Sequence, residues 1–165
     1  MVVVSTIFIT LIIYGVFIFN RCIYFENKIK ILFKETESIM EKNFLVNKDI
    51  LKDIKYYLPR ERDVINNLVN IVHIFRKITE TSEKVNRVLE MNYILNYLFT
   101  SSFLNFENDF DFKRKKDEFV YIEEKLNIAI NLHNQRVENY MVYKKRFYVL
   151  PIILIFKFKE FKNLG

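Results

Sequence analysis

Glycine and proline are nearly missing from this chain. Two of each stand among 165 residues, and the glycines, Gly15 and Gly165, lie in an apolar N-terminal run and at the last position. These two residue types are the strongest punctuators of helices, so long uninterrupted helices are predicted. The body between them cannot form a glycine-rich loop that cradles phosphate, which excludes the common nucleotide-binding motifs. Cysteine is as scarce: Cys22 is alone, no internal disulfide can form, and a reducing compartment is expected. Tryptophan is absent and Ala129 is the only alanine, whereas Asn, Lys, Ile, Phe and Tyr abound.

Charge is absent from the first twenty residues. At about 1.5 Å per helical residue, residues 2–19 extend roughly 27 Å, close to the thickness of a bilayer's hydrocarbon core. A cleaved secretory signal needs a basic start, a shorter apolar core and small residues before the cleavage site. Here Phe19, Asn20 and Arg21 precede Cys22, which also argues against lipoprotein processing at that cysteine. Ser5, Thr6, Thr10 and Tyr14 soften the run, but helical hydroxyls return to their own backbone carbonyls. Residues 1–20 are therefore expected to be a transmembrane anchor, the competing reading being a buried N-terminal core helix. Arg21, Lys28, Lys30 and Lys34 follow the run and no Lys or Arg precedes it. By the positive-inside rule the N-terminus lies outside and the body is cytoplasmic.

Residues 21–165 are a usual length for one domain with one core. The net charge of +6 comes from cations dispersed among acids, so a solvated surface facing an anionic membrane fits better than a nucleic-acid partner. The run Lys113, Arg114, Lys115, Lys116 is bracketed by Asp109, Asp111, Asp117 and Glu118, the pattern of a solvated helix start rather than a basic groove.

Helical spacing organises the body. Phe25, Ile29, Leu32, Ile39, Val46, Ile50 and Tyr57 recur at three- and four-residue steps, with Thr36, Asn43 and Asp53 interrupting, and predict one helix continuing from the anchor. Pro59 is expected to end it. A second helix is predicted over about 60–99, striped by Val64, Leu68, Ile71, Phe75, Ile78, Val85 and Leu89, with a kink near residues 79–84 where polar residues gather. A connecting loop follows over 100–111. The third helix, about 112–147, carries Phe119, Ile122, Leu126, Ala129, His133, Tyr140, Tyr143 and Phe147 in heptad register, and the lone alanine lets a neighbouring helix approach closely. Residues 147–156 are apolar around Pro151, too short a run to cross a bilayer. Three helices running out, back and out again would leave this tail at the end distant from the membrane, covering the bundle or a partner.

No constellation points to catalysis. His73 and His133 lack a second ligand at helical metal-site spacing, and His133 on the seam reads as a core histidine. Glu123 and Glu124 are adjacent and diverge around a helix, so they make no acid and base pair. Cys22 beside Arg21 is read as an interfacial thiol ahead of a palmitoylation site. The expectation is no enzyme: no catalytic residue, no metal, no cofactor and no small-molecule substrate.

Glu123, Leu126, Ala129, His133, Asn134, Val137, Tyr140 and Phe147 fall, without a gap, where the LemA family has Glu-Asn-x-Ile-x-x-Ala-Arg-x-x-Tyr-Asn-x-x-Val-x-x-Tyr and then Phe-Pro. Leu58, Arg60, Asp63, Val64, Ile65, Asn67, Leu68 and Val69 are similar to its Leu-Lys-Arg-Arg-x-Asp-Leu-Ile-Pro-Asn-Leu-Val, and Phe156, Phe158 and Phe161 to its aromatic tail. His133 replaces the family's Tyr, Ile130 its Arg, and Asn66 and Tyr148 its prolines, while a His-Glu pair expected near Ile78 and Thr79 is missing. With the anchor, the chain resembles this family over most of its length. The resemblance implies a bacterial membrane-anchored antiparallel bundle and supplies no catalytic residues.

The expectation is thus an all-α protein: an N-terminal transmembrane helix at 1–20, then a cytoplasmic up-and-down bundle of long helices at 21–165. It would sit in the cell membrane as a single-pass protein and act by binding other membrane proteins or itself. The alternative is an envelope-shaping protein that binds anionic lipid.

Overall fold

The computed structural model describes residues 2–57, 61–101, 110–146 and 148–165. They form five helices and no strand: α1 (Val2–Tyr57), α2 (Arg62–Phe75), α3 (Thr81–Ser101), α4 (Phe110–Lys144) and α5 (Leu150–Phe156). The fold is all-α, with the long helices that the scarcity of Gly and Pro favours. Pro59, most of the loop predicted over 100–111, and Phe147 lie outside the described residues.

The chain divides into two compact units. One comprises Met1–Lys34 with Leu132–Asn163, the other Glu35–Asn131 with Leu164–Gly165.

In the larger unit, contacts between named pairs give the direction of each pass. Phe44 of α1 stacks on Phe75 at the end of α2, with ring centroids 3.9 Å apart, so α2 runs back along α1. Glu37 accepts from the Thr81 hydroxyl at 3.2 Å and Asn47 meets Asn92, so α3 runs parallel to α1. Phe99 packs on Phe112 and Phe119, and Asn96 donates to Glu123, which makes α4 antiparallel to α3. The core is built from Met40, Ile50 and Ile54, from Leu68 and Ile71, from Val85, Val88, Met91, Leu95 and Leu98, and from Phe119 and Leu126.

Two sequence expectations are corrected here. The helix expected over 60–99 is two helices, separated by residues 76–80. No Gly or Pro stands at the break. Instead α2 closes with tightened three-residue bonds, Lys77 N–H to the Ile74 carbonyl at 2.8 Å and Ile78 N–H to the Phe75 carbonyl at 3.4 Å. Thr79, Thr81 and Ser82 follow, residues whose hydroxyls compete with helical backbone bonding. The break resets the apolar stripe, so that Val88 and Asn92 are buried and the expected Leu89 is half-buried. Likewise, Thr36 and Asn43 do not interrupt the α1 seam. They sit on it, fully buried, with Asn47 and Asn92.

In the smaller unit, Phe33 lies beside His133 and Phe25 stacks on Tyr140, so α4 is antiparallel to α1 there too. Ile18, Cys22, Phe25, Ile29, Val137, Tyr140 and Val149 form the core. The tail is placed differently from expectation. It packs against the N-terminal part of α1 rather than away from it: Phe156 meets Phe19 at 4.9 Å, and Ile152 lies over Gly15. The extra reversal at 76–80 accounts for the difference, because it adds one pass to those expected and α4 then travels toward the first turns of α1. Pro151, in the first turn of α5, suits a helix start, where a missing N–H costs nothing.

Candidate membrane anchor and the polar cluster at its foot

α1 is, among the described residues, the helix long and apolar enough to cross a membrane. Its N-terminal part is not the buried core helix of the competing reading. Val3, Val4, Phe8, Leu11, Ile13 and Phe17 are all more than half exposed, Val3 at 72%. An apolar run of this size left open is what a lipid-facing segment requires and a water-soluble surface avoids. Thr10 returns its hydroxyl to the Thr6 carbonyl at 2.9 Å, so that side chain brings no unpaired donor into lipid.

Burial begins at Ile18, four residues before Cys22. Around this foot, cations lie over aromatic rings: Arg21 over Tyr24 and Phe25, Lys28 over Tyr24, Lys144 over Tyr140, and Arg146 over Tyr143 and Tyr148. Tyr with Lys and Arg is the composition of a membrane–water boundary, where amphipathic rings and long basic side chains keep polar tips in the headgroups.

Inside the foot lies a buried carboxylate that sequence reasoning missed. Glu26 is 7% exposed. Its Oε1 accepts the Tyr140 hydroxyl at 3.3 Å and the Lys159 backbone N–H at 2.8 Å, and its Oε2 faces Lys30 Nζ at 3.6 Å. An unpaired buried carboxylate would cost several kcal/mol. Here it is bonded by three groups, one of them in the tail, so Glu26 ties residues 157–161 to α1. The signal available in the sequence was position: Glu26 stands four residues after Cys22 and three before Ile29, on the apolar seam itself.

Beside it, burial pushes the Cys22 thiol above its usual range, the Glu26 carboxylate adds to this, and Lys144 opposes it. Burial also raises the Tyr140 phenol, with Glu26 and Cys22 reinforcing. Cys22 is thus a protonated thiol with no exposed surface, the opposite of an activated nucleophile.

His133 is 1% exposed and sits on the seam as read. Burial lowers its pKa, opposed by its contact with Asn134 at 3.2 Å. His73 is exposed on α2. Glu123 accepts both bonds of the Asn96 amide, at 2.9 and 3.0 Å, while Glu124 is exposed, so the two carboxylates diverge. Among the described residues no three His, Cys, Asp or Glu come together as a metal site.

In the larger unit, Lys115 reaches Asp53 at 2.6 Å and Asp49 at 3.0 Å. These bonds, Asp53 first, hold the Lys115 ammonium above its usual range, while Lys52 and then Lys115 hold the Asp49 carboxyl below its own. Arg114 pairs with Asp111 and Lys116 lies over Phe99, so three of the four clustered cations turn to intramolecular partners. The same unit carries a groove of about 410 Å³ between α2 and α3, with Asp63, Val64 and Asn67 on one side and Tyr93, Ile94 and Tyr97 on the other. Tyr93 and Tyr97, one turn apart, are both largely exposed.

These features define an all-α protein with one N-terminal helix fit to be a membrane anchor. Comparison of the chain with protein-family models and with curated proteins finds no match.

Proposed function

We propose that the chain is a single-pass membrane protein whose cytoplasmic helical bundle acts as an interaction or scaffold element at the bacterial membrane, not as an enzyme, and that it is related to the LemA family it resembles. The observation that carries this reading is the pairing of an exposed, charge-free N-terminal helix with the tyrosine-lined groove on α2 and α3. Tyrosine is enriched at the energetic centres of protein interfaces because it buries a large rigid ring while its hydroxyl keeps a hydrogen bond. The occupant is another membrane protein or a second copy. Photo-crosslinking from position 93 in intact membranes tests this. A discrete protein adduct that Tyr97→Ala abolishes is expected, and lipid adducts alone would contradict it.

A second reading, an envelope protein that binds anionic lipid, draws on the cations ringed about the foot of the anchor. Dependence of the reconstituted full chain on anionic lipid, relieved by Lys145→Glu with Arg146→Glu, would favour it over scaffolding.

A further inference from the structure

We propose that α5 is a second membrane contact, a short helix lying in the headgroup–acyl boundary beside the anchor with its outer side against lipid chains. The inference rests on the reading of residues 1–20 as a bilayer anchor.

One side of α5 is occupied. Ile152 lies over Gly15, where a Cβ would stand 3.4 Å from its Cδ1, and Phe156 packs edge-on against Phe19. The other side is open. Leu150, Leu154 and Ile155 are 43, 77 and 69% exposed, and no residue of α5 is fully buried. An aliphatic face this bare on a water-soluble surface is a liability, so something covers it.

Its position says what. Gly15 precedes Arg21 by six residues, about 9 Å along the helix axis. A helix packed between those levels lies at the depth of roughly 5–10 Å at which interfacial helices settle. Seven residues give α5 about 10 Å of length, enough to lie in the boundary and too little to cross it. Its open face is therefore continuous with the lipid-facing surface of α1.

Charge agrees. From residue 139 to 159 there is no acid, and five cations flank the apolar run: Lys144, Lys145 and Arg146 before it, Lys157 and Lys159 after. Cations on both sides of an apolar helix match an anionic leaflet, which attracts basic side chains near its surface.

The test uses the full chain in vesicles of three parts zwitterionic to one part anionic lipid. In a Cys22→Ser background, an environment-sensitive dye is attached in turn to Phe8→Cys, Leu154→Cys and Tyr97→Cys. Lipids carry a quencher either near the headgroup or near the chain end. Leu154 is expected to be quenched more by the shallow quencher, Phe8 more by the deep one, and Tyr97 by neither. If Phe8 is quenched and Leu154 is not, including the case in which Leu154→Cys instead forms a disulfide with a second copy, the proposal is overturned and the anchor stands. If Phe8 is not quenched either, the anchor reading fails and takes the proposal with it.

Discussion

Asn43, Asn47 and Asn92 share a layer in an otherwise apolar core. The Asn47 amide donates to Asn43 Oδ1 at 2.9 Å and to Asn92 Oδ1 at 2.6 Å, while Asn43 Nδ2, Asn47 Oδ1 and Asn92 Nδ2 find no partner among the described residues. A buried polar atom without a partner costs about 1–3 kcal/mol, so the layer favours one register at the expense of stability. Asn47→Leu alone removes the shared donor and should destabilise by about 1–3 kcal/mol. Replacing all three with aliphatic residues should restore or raise stability, read as denaturation midpoints in detergent; a triple variant weaker than the single one would contradict this. Ala129, 7% exposed, is buried on the α4 seam. Ala129→Leu should lower stability by about 1–3 kcal/mol through overpacking, and an unchanged melting temperature would place the residue toward solvent. His133 gives the pH dependence. Its folded pKa lies below its ordinary 6.5, so in that window the unfolded chain binds the extra proton and stability falls as pH drops below that ordinary value. The melting temperature should decline between pH 7 and pH 5 more steeply in the native chain than in His133→Phe; equal slopes would show that His133 is not the group responsible.

Among the elements, the tail is tied to α1 through one buried carboxylate and is also held by ring contacts. Lys159 donates its backbone N–H to Glu26, and Phe161 meets Tyr140 edge-on at 6.1 Å. Glu26→Ala should free residues 157–161, seen as hydrogen exchange at least tenfold faster there with α3 unchanged. Uniform acceleration would mean global destabilisation instead. The elements also mark what the sequence could and could not disclose. The seam through Phe119, Ile122, Leu126, Ala129, His133 and Tyr140 was legible because apolar spacing alone places those residues, and all six are buried. At 76–80 the gathered polar residues signal a kink near 79–84 but not a full break, because no Gly or Pro stands there and the helix is closed by tightened end bonds instead. That omission displaced the tail, since the number of passes decides which end α4 reaches. The long, apolar, exposed start of α1 was legible from length and lack of charge. The buried Glu26 was passed over because a carboxylate is ordinarily assigned to the solvated face, although its spacing from Cys22 and Ile29 put it on the seam.

For the molecule as a whole, three properties converge on the membrane: a charge-free helical start left exposed, cations and tyrosines gathered where burial begins, and a net charge of +6 suited to an anionic leaflet. The proposed scaffold role depends on which side of the membrane presents the α2 and α3 groove. Arg21, Lys28, Lys30 and Lys34 predict the cytoplasmic side. The direct measurement is thiol labelling of Tyr97→Cys, in a Cys22→Ser background, with a membrane-impermeant maleimide on intact cells. No labelling is expected until the cells are lysed, with the protein remaining in the membrane fraction after alkaline extraction; labelling of Tyr97→Cys in intact cells, or release of the chain by alkali, would contradict a membrane-anchored bundle on the cytoplasmic side.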